Sequence, residues 1–137
     1  MDLPNKDSLC AEFVGVDIYL GDAPAEVFER ADELYVSPGL ALDTPELEQA
    51  AASGALISGD LDLFMRNVDA PVIAITGSNA KSTVTTLVGE LLASRNLHVG
   101  VGGNLGTPML DLIERDCDVY VLELSSFQLE QIGRAHV

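Results

Sequence analysis

Basic residues are scarce in this chain. Seven lysines and arginines stand against 22 aspartates and glutamates, a formal net charge of −15 over 137 residues. A nucleic-acid-binding face needs a basic stripe to neutralise phosphates, so that class is excluded. An anionic ligand would gain nothing from the overall field. It would need local donors: backbone N–H groups, a helix N-terminus and a well-placed lysine. Tryptophan is absent, and the two cysteines, Cys10 and Cys117, read as reduced thiols rather than a disulfide framework. No apolar run approaches the roughly 18 residues of a membrane span. The opening "MDLPNKDSL" lacks the basic start and apolar stretch of a secretory signal. A cytoplasmic protein is therefore expected, with no membrane and no nucleic acid among its partners.

What is present is a hydrophobic fraction of 47%, enough for a packed core. Short β-like runs alternate with helical patterns. The strands expected are Val16–Leu20, Leu34–Ser37, Leu56–Ser58, Val72–Thr76, Val99–Gly102 and Val119–Leu124. The helices expected between them are Pro24–Ala31, Pro45–Ser53, Asp60–Asn67, Lys81–Ser94 and Pro108–Arg115. Pro24 and Pro45 suit a first helical turn, and Asp22 and Thr44 are candidate caps. In the helix from Lys81, the residues Val84, Leu87, Val88, Leu91 and Leu92 recur at spacings of three and four. That spacing predicts one apolar face. Alternation of this kind predicts α/β architecture with parallel strands and crossover helices. The polar stretch "RNVDAP", Arg66 to Pro71, reads as a boundary between two α/β units, and both units read as incomplete.

Four stretches carry chemistry. Thr76-Gly77-Ser78-Asn79-Ala80-Lys81-Ser82-Thr83 follows a buried-type strand and opens a helix, the context of a phosphate loop. Its small residues let backbone amides converge on phosphate oxygens, and the helix dipole adds positive charge. Ile75 and Ala80 occupy the two glycine positions of the general pattern. From pattern alone, a nucleotide site and an ordinary helix start both remain open. Glu123 ends the run "VYVLEL", and in parallel α/β sheets ligands bind outside the carboxyl ends of strands. An acid there is placed to hold magnesium against nucleotide phosphates. "GGNLGTP" offers a backbone open to close approach at Gly103, with the amide of Asn104 beside it. "SPG", Ser37 to Gly39, closes a strand of the first unit, where a plain turn is the simpler reading.

Together, "TGSNAKST", "GGNLGTP" and "YVLELSSFQLE" resemble the Mur ligase family, and "VSPGLAL" and "ISGDLDLF" extend the likeness over nearly the whole chain. The likeness is greatest to the branch that adds D-glutamate to UDP-N-acetylmuramoyl-L-alanine in bacterial peptidoglycan synthesis. The resemblance implies a partial Rossmann-like N-terminal domain, residues 1–69, which takes part in binding the UDP-sugar. It is followed by the start of a P-loop-type, parallel-sheet ATP-binding domain, residues 70–131. It also implies ATP and Mg²⁺ as cofactors, ligation through an acyl phosphate attacked by the amine of D-glutamate, and a monomer at full length. By the same likeness Gly77, Ser78, Asn79, Ala80, Lys81, Ser82 and Thr83 hold the ATP phosphates, with Lys81 the catalytic cation. Ser82 and Glu123 ligate the metal. Ser37, Gly39, Gly103, Asn104, Ser125 and Gln128 lie against the UDP-sugar substrate. Ala80 replaces the glycine of the commonest family motif, a methyl for a hydrogen, and is expected to be tolerated.

The family's first βαβ unit with its uracil pocket, its downstream magnesium-binding histidine, its carbamylated lysine and its amino-acid-binding domain have no counterpart in these residues. Ligation by the chain alone is not expected. The final six residues, "IGRAHV", leave the family pattern and can be encoded by ATC-GGA-AGA-GCA-CAC-GTC, a run resembling a common sequencing-library adapter. Residues 132–137 are accordingly expected to be a non-native tail, and His136 is given no role. Two other readings share these motifs: another Mur or folylpolyglutamate-type ligase, and a non-catalytic nucleotide-binding module.

Overall fold

Helix starts in this protein follow local chemistry. The computed structural model describes residues 5–132, so most of the expected tail, residues 133–137, lies outside the described residues. Helix α1, Lys6–Glu12, is capped by Asn5, whose side-chain oxygen accepts from the Asp7 amide. Helix α2 covers Ala25–Glu29, strand β1 Glu33–Val36, helix α3 Pro45–Ala52 and strand β2 Leu56–Gly59. Thr44 caps α3 as expected, its Oγ1 accepting from Leu47 N at 3.4 Å ahead of Pro45 in the first turn. Helix α4, Asp60–Asn67, follows β2 without a loop, and Asp62 reaches back to accept from Gly59 N at 3.0 Å. The order continues with β3 (Val72–Ile75), α5 (Lys81–Ala93), β4 (Val99–Gly103), a 3₁₀ turn (Met109–Leu112), β5 (Val119–Glu123) and α6 (Ser126–Ile132).

The strands form two parallel sheets, β1–β2 and β3–β5–β4, as α/β alternation requires. Register does the positioning. Ile75 of β3 and Gly103 of β4 both stand opposite Glu123 of β5, so the three carboxyl ends form one row. Leu124 N donates to Ile75 O at 2.9 Å and Asn104 N donates to Glu123 O at 2.9 Å, which extends the row past the ladder on both sides.

The central strand β5 is buried along its whole length. Its core partners come from both sides of the expected boundary: Leu61 and Phe64 of α4, Met109 and Leu112 of the 3₁₀ turn, and Tyr120, Leu122 and Leu124. Phe64 meets Tyr120 edge-on, with ring centroids 5.1 Å apart and planes at 88°, a geometry in which ring edge and ring face attract. Helix α4 therefore leaves the first sheet in sequence yet fills the core of the second.

Several sequence expectations are corrected here. Val16–Leu20 is not a strand; it pairs with no described strand, and Val16, Tyr19 and Leu20 stay exposed. β-propensity without a partner makes no ladder. The expected helix Pro24–Ala31 shrinks to α2, with Pro24 rather than Asp22 at its cap position and no side-chain cap bond. Pro108–Arg115 yields only the 3₁₀ turn. Helix α5 differs most. Val84, Leu87 and Leu91 are 43%, 53% and 59% exposed, while the buried residues are Thr85 and Gly89. A Cβ on Gly89 would stand 2.7 Å from Val101 Cγ2. The helix lies so close to β4 that a glycine has to face it, and the wide apolar stripe is turned outward.

Candidate functional site

The loop between β3 and α5 takes its shape from two residues of positive φ. Gly77 has φ 147° and Ala80 has φ 59° and ψ 13°, the left-handed region. The first is open only to glycine, and the second is unusual for alanine. Between them Ser78 and Asn79 are exposed. The turn delivers the chain into α5, a 13-residue helix with no acidic residue in its first turn. The amides of that turn have no intrahelical acceptor and carry the positive end of the dipole. Lys81 Nζ folds back to donate to Gly77 O at 2.8 Å. The lysine is thereby held over the loop.

The next residue reaches across the sheet. Ser82 Oγ donates to Glu123 Oε2 at 2.7 Å, joining positions 41 residues apart. Glu123 is 7% exposed, and a carboxylate so placed needs a donor or a cation. Hydroxyl and carboxylate are both hard oxygen ligands. Magnesium is typically held by one or two such groups plus phosphate oxygens and waters, so the pair fits it. Among the described residues there is no cluster of three His, Cys, Asp or Glu able to hold a metal alone. Any metal here would draw the rest of its shell from its ligand.

The structure brings Gly103 and Asn104 to the same row: Gly103 is in register with Glu123, and the Asn104 amide bonds its carbonyl. Ser125 and Gln128 stand just beyond, in a local arrangement that the sequence reading did not recognise. Ser125 N donates to Gln128 Oε1 at 2.9 Å, while Gln128 N donates to Ser125 Oγ at 3.3 Å. That is a capping box at the start of α6, and its S-x-x-Q signature was available in "SSFQ". Gln128 is 1% exposed, and its remaining group, Nε2, donates to Asp60 Oδ2 at 3.1 Å.

Ser37 and Gly39 follow a strand of the other sheet. They form the turn after β1, where Leu40 N donates to Ser37 O at 3.0 Å, and both are exposed. A hollow of about 250 Å³ opens beside this turn, lined in part by Leu40, Thr44, Phe28 and Asp22. No hydrogen bond among the described residues links Ser37 or Gly39 to the Lys81 loop.

A second polar cluster ties β1 to α4. Glu33 accepts from Arg66 Nη2 and from Ser58 Oγ, each at 2.6 Å, and from Tyr35 Oη at 2.8 Å. The Arg66 guanidinium, with the two hydroxyls, holds the Glu33 carboxyl down at about 2. In return, Glu33 pushes the Tyr35 phenol up. This cluster joins both strands of the first sheet to α4 and reads as a structural tie.

Residues 1–59 match the family profile described as Mur ligase MurD-like, N-terminal domain. The chain is 59% identical over 131 residues to the UDP-N-acetylmuramoylalanine–D-glutamate ligase of Pseudomonas aeruginosa, covering 96% of this chain and 29% of that protein. It is 60% identical over 127 residues to the ligase of the same name from Pseudomonas syringae pv. tomato, covering 93% and 28%. The corresponding ligase of Marinobacter nauticus is 56% identical over 127 residues, again with 93% and 28% covered. The chain thus spans under a third of the length of the curated relatives it matches. Among solved structures, a pseudomurein peptide ligase type C from Methanothermus fervidus overlays 96% of this chain and 28% of its own at 22% identity. Its TM-score of 0.40 is too loose to bear on the fold.

Proposed function

On its match to a Mur ligase N-terminal profile and its likeness to D-glutamate-adding ligases, we propose that the chain belongs to the Mur ligase family and is part of an ATP-dependent amide-bond-forming ligase of peptidoglycan synthesis. The full enzyme adds D-glutamate to UDP-N-acetylmuramoyl-L-alanine through an acyl phosphate. Residues 1–69 belong to the part that faces the UDP-sugar and residues 70–131 to the part that faces ATP, with α4 packed into the core of the latter. Gly77 to Thr83 cradle the phosphates. Lys81 exchanges its bond to Gly77 O for a phosphate oxygen and offsets the transferred charge. Ser82 and Glu123 supply two oxygens to Mg²⁺, whose role is to neutralise charge shared between the outer phosphates. Asn104 and Gly103, with Ser37 and Gly39 of the turn after β1, orient the UDP-sugar. By itself the chain holds nucleotide without ligating. Phosphate release dependent on both UDP-sugar and D-glutamate would overturn that statement.

The observation that carries the proposal is the 2.7 Å bond between Ser82 and Glu123 at the carboxyl ends of the strands. It supports a metal-nucleotide site where a plain helix start would need no acid. The test is calorimetric titration with Mg-ATP of the wild-type chain, Lys81→Ala and Glu123→Ala. Each variant is expected to bind at least about 10-fold more weakly, the scale of one lost charge-assisted contact. The Glu123→Ala loss should vanish when magnesium is omitted. Equal affinity in all three proteins would sink the reading.

A further inference from the structure

The acid at the end of β5 is held in place by more than its sheet. Two residues beyond Glu123, the Ser125–Gln128 capping box closes the turn into α6. Gln128 Oε1 accepts from Ser125 N at 2.9 Å and lies 3.2 Å from Ser125 Oγ. A capping glutamine has one group to spare, and here it is buried. Gln128 Nε2 donates to Asp60 Oδ2 at 3.1 Å, across 68 residues of sequence. Asp60 is the first residue of α4 and follows Gly59, the last residue of β2. Its other oxygen accepts from Leu61 N at 2.8 Å. A buried amide with this partner is oriented, and losing the partner leaves a donor stranded.

Resting on the nucleotide reading above, we propose that Asp60 and Gln128 are positioning residues. They tie the Glu123–Ser125 turn to the start of α4, so that the Ser82–Glu123 pair keeps its geometry only while the first sheet is docked. Neither residue belongs to the proposed phosphate loop or to the proposed metal ligands. The path runs from the β1–β2 sheet through Gly59 and Asp60 to Gln128, Ser125 and Glu123. A sugar-nucleotide bound at the first sheet would thus act on the metal ligands through this hydrogen bond.

The link can be cut without disturbing the cap. Glutamate serves at the third position of a capping box as well as glutamine does. Gln128→Glu therefore keeps the α6 start and sets two carboxylates against each other at Asp60. Adding Asp60→Asn restores the bond in reverse, with the asparagine amide donating to the new carboxylate and its oxygen still accepting from Leu61 N. Mg-ATP titration of the 137-residue chain is expected to show Gln128→Glu about 10-fold weaker, and the double variant within about 3-fold of wild type. Nucleotide without magnesium should bind all three alike. Wild-type affinity in Gln128→Glu, or no recovery in the double variant, would overturn the proposal. Should the wild-type chain not respond to Mg-ATP, the nucleotide reading fails and amide exchange at Leu124 and Ser125 decides. Faster exchange in Gln128→Glu that the double variant reverses supports the link, and unchanged exchange overturns it.

Discussion

Replacing Ala80 by glycine should stabilise this protein, against the usual direction of such a change. Ala80 sits at φ 59° and ψ 13° immediately before α5. An L-residue with a Cβ is disfavoured there by roughly 1–2 kcal/mol because the Cβ approaches the following carbonyl oxygen. Glycine removes that penalty but enlarges the conformational freedom of the unfolded chain, an opposing effect of about 0.4–1 kcal/mol. The net gain is about 0.5–1 kcal/mol, and for a chain of this size it raises Tm by about 2–4 °C. Ala80→Val should move the other way, because a β-branched side chain at positive φ is more crowded still. Thermal unfolding of the wild type and both variants, followed by circular dichroism, measures the order. The left-handed strain at this residue is refuted if Ala80→Gly melts at or below the wild type. The same comparison bears on the proposed phosphate loop. A lower-strain loop should bind Mg-ATP at least as tightly, because glycine leaves the amides of the turn where they are.

Two more predictions follow from packing and charge. Gly89→Ala gains about 1 kcal/mol of helix propensity, yet its Cβ would lie 2.7 Å from the stiff Val101 side chain. Overpacking of that kind typically destabilises by about 1–3 kcal/mol, so a net loss near 1 kcal/mol is expected in urea unfolding, and a gain would contradict the close α5–β4 approach. Glu33, lowered from 4.5 to about 2 chiefly by the Arg66 hydrogen bond, stabilises the fold as a carboxylate. Its contribution is complete above its ordinary value and is lost as pH falls from about 4.5 toward 2. Arg66→Met should therefore lower the urea midpoint at neutral pH, with the gap to wild type closing across that acid window. A gap that stays constant would remove Glu33 as its cause.

What was legible in the sequence was local. The small-residue loop that opens α5, the Thr44 cap and the strand-end position of Glu123 are each set by neighbours within a few positions, and periodicity or turn chemistry reports such neighbours directly. The S-x-x-Q cap of α6 was equally local and went unrecognised, because Ser125 and Gln128 were read for their likeness to a substrate site. Val16–Leu20 was misread for a different reason. A strand is a pairing, and its sequence describes only one side of it.

The chain by itself determined that strands would alternate with helices, that a small-residue loop would carry Lys81 and Ser82 into a helix, and that an acid would end β5. Each rests on side-chain size, backbone freedom or apolar period along a few consecutive residues. Only the tertiary structure decided that Ser82 and Glu123 meet at 2.7 Å, that Gln128 spends its last donor on Asp60, and that α5 faces the sheet with Thr85 and Gly89. These depend on strand register and on how closely a helix can approach a sheet. Both are set by contacts between residues distant in sequence, such as Ile75 opposite Glu123 and Gly89 against Val101, where no local spacing carries the information. The Ala80 backbone belongs with them: the sequence named the residue, and only the fold put it in the left-handed region.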